Sequence, residues 1–436
     1  MLATFRYPKD FDKLKARLPV GLEANPQAAI AAQGIIADVR ERGDAALIEL
    51  TARFDGVELQ ADQLRLSPEV LRTAWETQSA EFQAAVEFAT NRIRAFHEAQ
   101  LPKNIRIDQP DGSLLQRVYR PLNRVGVYVP GGSAAYPSTA MMDIIPAQVA
   151  GVAEIVVATP PQRADGPQAA STLGVLHHLD ITEVYTVGGA QALAALALGT
   201  EAIAPVDKIV GPGNSFVNEA KRLLYGVVDI DSLAGPSEIL VIADETTRPE
   251  YVAADLLSQA EHSPDAQSLL VVVGDESLLQ KFTDEVTRQA ELLPRVEIVK
   301  ESLECFGTAV LVDSIEEAIA FTNWKAPEHL EILTREAADV AMRVKNSGAI
   351  FVGEYTPEAV CDYVAGPNHV LPTGGTARYF SGLNTASFMK GMNITQMSRD
   401  GLKACAPHVE TLATTEGLDA HARSAMIRFQ PDGNDA

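Results

Sequence analysis

Apolar residues recur at helical spacing through the first hundred positions. Ala31, Ile35, Ile36 and Val39, then Leu47 and Leu50, follow a 3.6-residue period, with Gly43 as a break. A second helix is predicted from Ser67 as N-cap and Pro68 as its first residue, carrying Leu71, Trp75, Phe82, Val86, Ile93 and Phe96. From about residue 117 the pattern changes to short apolar runs of strand length. The predicted strands are Val125–Val129, Ile155–Ala158, Val184–Val187, Lys208–Val210 and Ile239–Ile242. Leu269–Val273, Val296–Val299, Ala309–Val312, Leu330–Leu333 and Ala349–Val352 follow. Helices fit between most of them, for example Gln191–Leu198, Asn214–Tyr225, Pro249–Glu261 and Leu278–Leu292. Such alternation predicts an α/β fold with largely parallel sheet and right-handed crossovers.

So many strands exceed one comfortable sheet, which divides the chain near residue 240. The expected organisation is an N-terminal helical segment packing on the core (1–116), a first αβα unit (117–240), a second αβα unit (241–380) and a tail (381–436). Past about residue 380 the strand signal disappears. Residues 411–429 read as an amphipathic helix too short to own a core, so the tail is expected to dock on its own body or on a partner subunit.

Composition narrows the functional classes. Of 436 residues, 46% are hydrophobic and 22% charged, as in ordinary globular proteins. With 36 basic and 58 acidic side chains the formal charge is −22, which repels phosphate backbones and anionic lipid and argues against nucleic-acid or membrane-surface partners. A local positive pocket for a small anionic cofactor remains compatible with it. The two longest charge-free runs, 125–142 and 184–200, are interrupted by Pro130 and Pro137 or by Gly188 and Gly189, so no membrane helix is predicted. No apolar stretch of signal-peptide length opens the chain, and Cys305, Cys361 and Cys405 lack CxxC spacing; a cytoplasmic protein is expected.

A GxGxxG dinucleotide fingerprint is absent. In its place, glycine-rich turns follow three strands: Val129-Pro130-Gly131-Gly132, Val187-Gly188-Gly189-Ala190-Gln191 and Val210-Gly211-Pro212-Gly213-Asn214. Each lets backbone N–H groups approach an anion at a helix start, although glycine also simply punctuates strand-to-helix turns. In SQAEHSPD, Gln259 and His262 lie three apart at a predicted helix end, so both side chains share a face on which they can converge on one ion. Taken alone, that histidine equally suits a surface or capping position. Asp362 and His421, expected in polar, glycine-bounded loops, are further candidate ligands, while His369 in the same segment as Asp362 reads as a structural hydrogen-bonding residue. Glu328 and His329 sit side by side after Pro327, where an imidazole can take a proton and a carboxylate can activate water. From the dipeptide alone a solvated loop pair is the simpler reading.

The segments cease to be independent when read in order. VGVYVPGGSAAYPSTAMM (125–142), TVGGAQ (186–191), GPGNSFVNEAK (211–221), AGPSEILVIAD (234–244), DLLSQAEHSPDAQ (255–267), APEHLE (326–331), CDYVAGPNHVLPT (361–373) and LATTEGLDAH (412–421) together resemble histidinol dehydrogenases. RGDAAL and RFDGV near the N-terminus add to a resemblance that runs from about residue 25 to 430. It implies two incomplete Rossmann-like units similar to aldehyde dehydrogenases, an intertwined homodimer with shared active sites, and zinc- and NAD-dependent oxidation of L-histidinol through the aldehyde to L-histidine. Carried over residue by residue, it implies Gln259, His262, Asp362 and the partner's His421 as metal ligands. It further implies His329 as general base, Glu328 as water activator, and Ser237, Glu416 and His329 as substrate contacts beside the ligands. Tyr128, Gln191 and Asn214 are implied as NAD contacts.

Departures from the family pattern are Cys361, where glycine is frequent, Pro367, where threonine is usual, and GLNTASFMK in place of GLSVxDFxK. Cys361 therefore reads as a small-residue substitution and not as a nucleophile. Competing readings are a related dehydrogenase for another polar alcohol such as a sulfonated diol, a zinc hydrolase with Glu328 as base, and a non-catalytic ligand-binding protein.

Overall fold

The computed structural model describes residues 2–18, 20–22, 25–131, 135–161 and 169–429. Its strands in chain order are β1 (Ala3–Arg6), β2 (Ile105–Asp108), β3 (Leu114–Pro121), β4 (Arg124–Tyr128), β5 (Glu154–Ala158), β6 (Glu183–Tyr185) and β7 (Lys208–Val210). They continue with β8 (Asp229–Ile230), β9 (Glu238–Ala243), β10 (Gln267–Val273), β11 (Thr308–Val312), β12 (His329–Ile332), β13 (Ala349–Val352) and β14 (Met389–Gln396). The chain divides into two units, one of residues up to Gln100 with Leu122–Phe388, the other of Leu101–Pro121 with the stretch from Met389 onward.

The first unit holds two all-parallel sheets, six strands in the order β1-β11-β10-β9-β12-β13 and five in the order β6-β5-β4-β7-β8. Parallel strands covered on both faces must be apolar throughout, which is why EILVIA in β9 and TAVLV in β11 are buried at every position. Alternate residues then feed two separate cores. Ile239, Val241, Leu270 and Val272 pack with Val252, Leu256 and Phe282 on one face, while Leu240, Ile242, Leu269 and Val271 pack with Leu14, Leu18 and Phe321 on the other. In the five-stranded sheet Val156, Ala158 and Ile209 are covered by helices Pro26–Arg42, Asp44–Asp55, Gly189–Leu198 and Ser215–Leu224.

The second unit is a three-stranded antiparallel sheet, β14-β3-β2, with helices Arg399–Thr415 and Asp419–Met426 separated at Gly417, φ 73°.

Several expectations are corrected. Val296–Val299 is not a strand but the start of helix Val296–Cys305, because Val299, Ser302 and Leu303 form a buried helical face that the short apolar run concealed. The helix expected through Ser67–Phe96 is two: Pro68–Glu76 and Ala80–Ala99. The Thr77 hydroxyl turns back onto the Thr73 and Ala74 carbonyls, and Ser79 caps a new helix by accepting from Phe82 N–H at 3.2 Å. The N-terminal segment also supplies strand β1, and a strand does exist beyond residue 380. β14 (MKGMNITQ) is exposed along nearly its whole length and so carries no apolar alternation.

Candidate active site

Glu328 and His329 are delivered to the start of β12 by a tight turn. Helix Ile315–Lys325 ends at Ala326 in the left-handed region (φ 51°), and Pro327 leads into the strand. The pair is buried, not a solvated loop: His329 retains 4% and Glu328 6% of its accessible surface. Burial comes first among the causes that push the His329 imidazole down to about 3 and lift the Glu328 carboxyl well above its ordinary value.

The His329 ring is oriented by a specific set of partners. Its Nδ1 lies 3.1 Å from the Glu238 carbonyl oxygen, which can only accept and so assigns the proton to Nδ1; Glu358 Oε1 and Glu328 Oε2 lie 3.3 Å and 3.8 Å away. Nε2 has no hydrogen-bond partner and lies 3.7 Å from Asp362 Oδ1. A neutral imidazole with a bare, buried Nε2 lone pair can accept a proton.

Around this ring lie donors suited to a cation. His329, Glu358 and Asp362 each offer an atom within 4.8 Å of the others. Neither Asp362 nor His421 lies in the expected loop: Asp362 is in helix Glu358–Tyr363 and His421 in helix Asp419–Met426, and burial raises the Asp362 carboxyl to about 7. Gln259 ends helix Pro249–Ala260 with both amide atoms buried and unpartnered. Such an amide costs about 1–3 kcal/mol unless something completes it. His262 Nδ1 engages the Ser258 carbonyl at 2.9 Å, so its Nε2 is the free nitrogen. An unsatisfied amide, an imidazole with one nitrogen already committed and a carboxylate that burial disfavours as an anion are donors a divalent cation takes, but among the described residues the group whose atoms fall within 4.8 Å of one another is His329, Glu358 and Asp362, without His262. His369 donates from Nδ1 to the Asp362 carbonyl at 2.9 Å, the structural role expected of it. Ser237 is half-buried directly before β9, and its carbonyl accepts from Gln267 N–H. Glu416 and His421 are exposed and belong to the second unit.

The glycine turns follow the carboxyl ends of β4, β6 and β7, where open parallel sheets bind ligands. Gly189 N–H donates to Tyr128 Oη at 3.1 Å, joining two of the turns, and burial raises the Tyr128 hydroxyl to about 12. Gln191 is buried in the first turn of helix Gly189–Leu198. Asn214 caps helix Ser215–Leu224, accepting from Phe216 and Val217 N–H at 3.1 Å each. Gly132 lies outside the described residues. Gly211 has φ 113°, and an added Cβ would overlap the Tyr128 carbonyl oxygen. Gly211→Ala is therefore expected to destabilise the fold by about 3 kcal/mol or more, measured by urea unfolding.

Two features were missed in the sequence. Glu358 precedes Asp362 by four residues on one helix, a spacing that brings both carboxylates onto one face. Glu331, fully buried in β12, accepts from the Glu358 N–H at 2.6 Å and so anchors that helix.

The histidinol dehydrogenase profile matches residues 22–429. The enzyme of that name from Geobacillus kaustophilus is 46% identical over 417 residues, covering 96% of this chain and 97% of the relative. The chain belongs to the histidinol dehydrogenase family. A histidinol dehydrogenase from Aquifex aeolicus is 48% identical over 394 residues, covering 90% of this chain and 91% of its own. The crystal structure of histidinol dehydrogenase from Elizabethkingia anophelis superposes with a TM-score of 0.92 at 36% identity, covering 98% of both chains. An acetylating aldehyde dehydrogenase from Geobacillus thermoglucosidasius shares the fold at a TM-score of 0.50 and 13% identity, covering 86% of this chain and 98% of its own. The histidinol dehydrogenase scaffold is thus an aldehyde-dehydrogenase-like α/β fold, as expected. No helix among the described residues is long and apolar enough to cross a membrane.

Proposed function

We propose that the chain is a cytoplasmic, homodimeric enzyme that oxidises L-histidinol through L-histidinal to L-histidine, the last step of histidine biosynthesis, reducing two NAD and using one zinc ion per subunit. The observation that carries this reading is the buried His329 ring, with Nδ1 engaged and Nε2 bare beside Glu328 and Asp362.

Gln259, His262 and Asp362 would hold the metal, with His421 of the partner subunit as fourth ligand. Ser237 and the partner's Glu416 would contact the substrate. When bound, zinc would supply a template that holds the amino-alcohol in place, and NAD would supply the hydride acceptor. His329 Nε2 takes the hydroxyl proton as the C–H electron pair leaves as hydride, and the C=O bond forms. Glu328 accepts the Glu238 N–H through Oε2, and the burial that raises its carboxyl makes its ionised form a stronger base toward a water proton. As that water adds, His329 returns its proton to the carbonyl oxygen; the hydrated aldehyde then loses a second hydride, His329 again taking a hydroxyl proton, and the acid results.

Cys361 takes no part. Burial and the neighbouring carboxylates hold its thiol up at about 11, so it stays protonated where a covalent route needs thiolate. Labour divides along the chain: Tyr128, Gln191 and Asn214, in the 117–240 stretch, serve NAD, and residues 241–380 serve metal and acid–base chemistry.

Following NADH absorbance with NAD and L-histidinol tests the reading. Two NADH per histidinol are expected. No NADH from histidinol, with turnover of a sulfonated diol instead, would replace the substrate by that of the related dehydrogenase. A second expectation concerns protons. Asp362 binds metal as the anion, and its carboxyl is held at about 7, so zinc loading below that pH must displace its proton. Apparent zinc affinity should fall by up to about tenfold per pH unit below neutrality, checked by calorimetry at pH 6 in buffers of differing ionisation enthalpy.

A further inference from the structure

Glu238 and Lys325 form an ion pair with no accessible surface on either side chain. The other carboxylate oxygen of Glu238 accepts from Gly374 N–H at 2.6 Å. Buried pairs of this kind contribute little net stability, since desolvation offsets their attraction, and apolar residues of similar volume commonly replace them without loss. A different role is visible in what the Glu238 peptide does. Its N–H donates to Glu328 Oε2 at 3.0 Å, and its carbonyl accepts from His329 Nδ1 at 3.1 Å. The main chain of one residue thus orients both members of the acid–base pair, from 90 and 91 residues away in sequence.

On the β10 side the sheet holds Glu238, which pairs with Gln267; the β12 side supports it less. The β9–β12 ladder begins at Ile239 opposite His329, so on this side Glu238 lies one residue beyond the last paired position. Lys325 is the last residue of the helix that leads, through Ala326, into Glu328. The ion pair therefore closes a ring: side chain to side chain from Lys325 to Glu238, then main chain of Glu238 to Glu328 and His329.

We propose that Lys325 and Glu238 are positioning residues, whose ion pair clamps the Glu238 peptide so that Glu328 keeps its orientation and His329 keeps its proton on Nδ1 and its lone pair on Nε2. The proposal rests on the acid–base roles given to Glu328 and His329 above. A shift of about 1 Å in catalytic groups can cost on the order of 10²-fold in rate, whereas substrate gripped by a metal is bound without them. The signature is a loss in kcat with KM unchanged.

The test is the double variant Glu238→Gln/Lys325→Met. It leaves no buried charge, nearly conserves volume and retains an acceptor for Gly374. Expected are a thermal midpoint within a few degrees of the parent, zinc content and KM for histidinol within about twofold, and kcat at least about tenfold lower for both histidinol and histidinal oxidation. A folded double variant with parental kcat overturns the clamp. If the double variant gives no soluble protein, Glu238→Gln alone is read the same way, since its single amide oxygen cannot accept from both Gly374 and Lys325 and the clamp is broken: reduced kcat at constant KM supports the clamp, and parental kcat overturns it. His329→Asn is measured in parallel. If it is crippled while the double variant is not, only the clamp falls; if it turns over at the parental rate, the acid–base reading falls and takes the clamp with it.

Discussion

Replacing His329 by asparagine is expected to lower kcat by about 10²–10⁴-fold, the range removed with a positioned general base, while zinc content and KM for histidinol stay near the parental values. Asparagine can still donate toward the Glu238 carbonyl and so preserves the local hydrogen bond. It lacks a basic nitrogen where Nε2 stood. Both half-reactions should suffer, because a hydroxyl proton leaves with each hydride. Steady-state assays on histidinol and on histidinal, with metal analysis of the purified variant, check this. The metal measurement matters because His329 lies with Glu358 and Asp362 in a group whose donor atoms all fall within 4.8 Å of one another. If zinc is lost along with turnover, His329 is a ligand, and the base must be sought elsewhere.

Much of this arrangement was legible in the sequence, and the illegible parts share a physical cause. Strands such as EILVIA announce themselves because a parallel strand buried on both faces admits few polar residues. Helical spacing paired Gln259 with His262, but the helix ends at Ala260 and His262 follows in a turn, because Ser263-Pro264 stops it early. The edge strand Ala3–Arg6 was not legible. It joins β11 from three hundred residues away, and its intermediate-exposed alternation over four residues is too short to stand out. The Val296–Val299 error is of another kind, because a four-residue apolar run suits a strand or one helical turn equally well. Within the site, residue types marked Glu328 and His329, but their protonation is set by burial and by the main chain of Glu238. Backbone hydrogen bonds leave no trace in residue identity. Glu238 looks from the sequence like an ordinary charge before a strand, and only its contacts reveal what it does.

Mixing two inactive variants is expected to restore activity if the proposed active site is shared between subunits. In a heterodimer of a His421→Ala chain with a His329→Asn chain, the first chain keeps its own His329 and receives the partner's His421, so one site is complete. The other site lacks both groups. If the two kinds of chain exchange at random in equal amounts, half the dimers are mixed and half their sites are intact, so about a quarter of parental activity should return from a background near zero. Were His421 to serve its own chain, every site in the mixture would lack one group and nothing would return, provided exchange is verified by native mass spectrometry. The reading behind this expectation is that His421 and Glu416 belong to the second unit, whose exposed residues include Ile105, Ile107, Met392, Ile394, Leu412 and Leu418. A second copy of the chain covering those side chains would remove several hundred Å² of apolar surface from water, at about 25 cal/mol per Å². That gain favours association on the same unit that carries the two groups the active site would borrow.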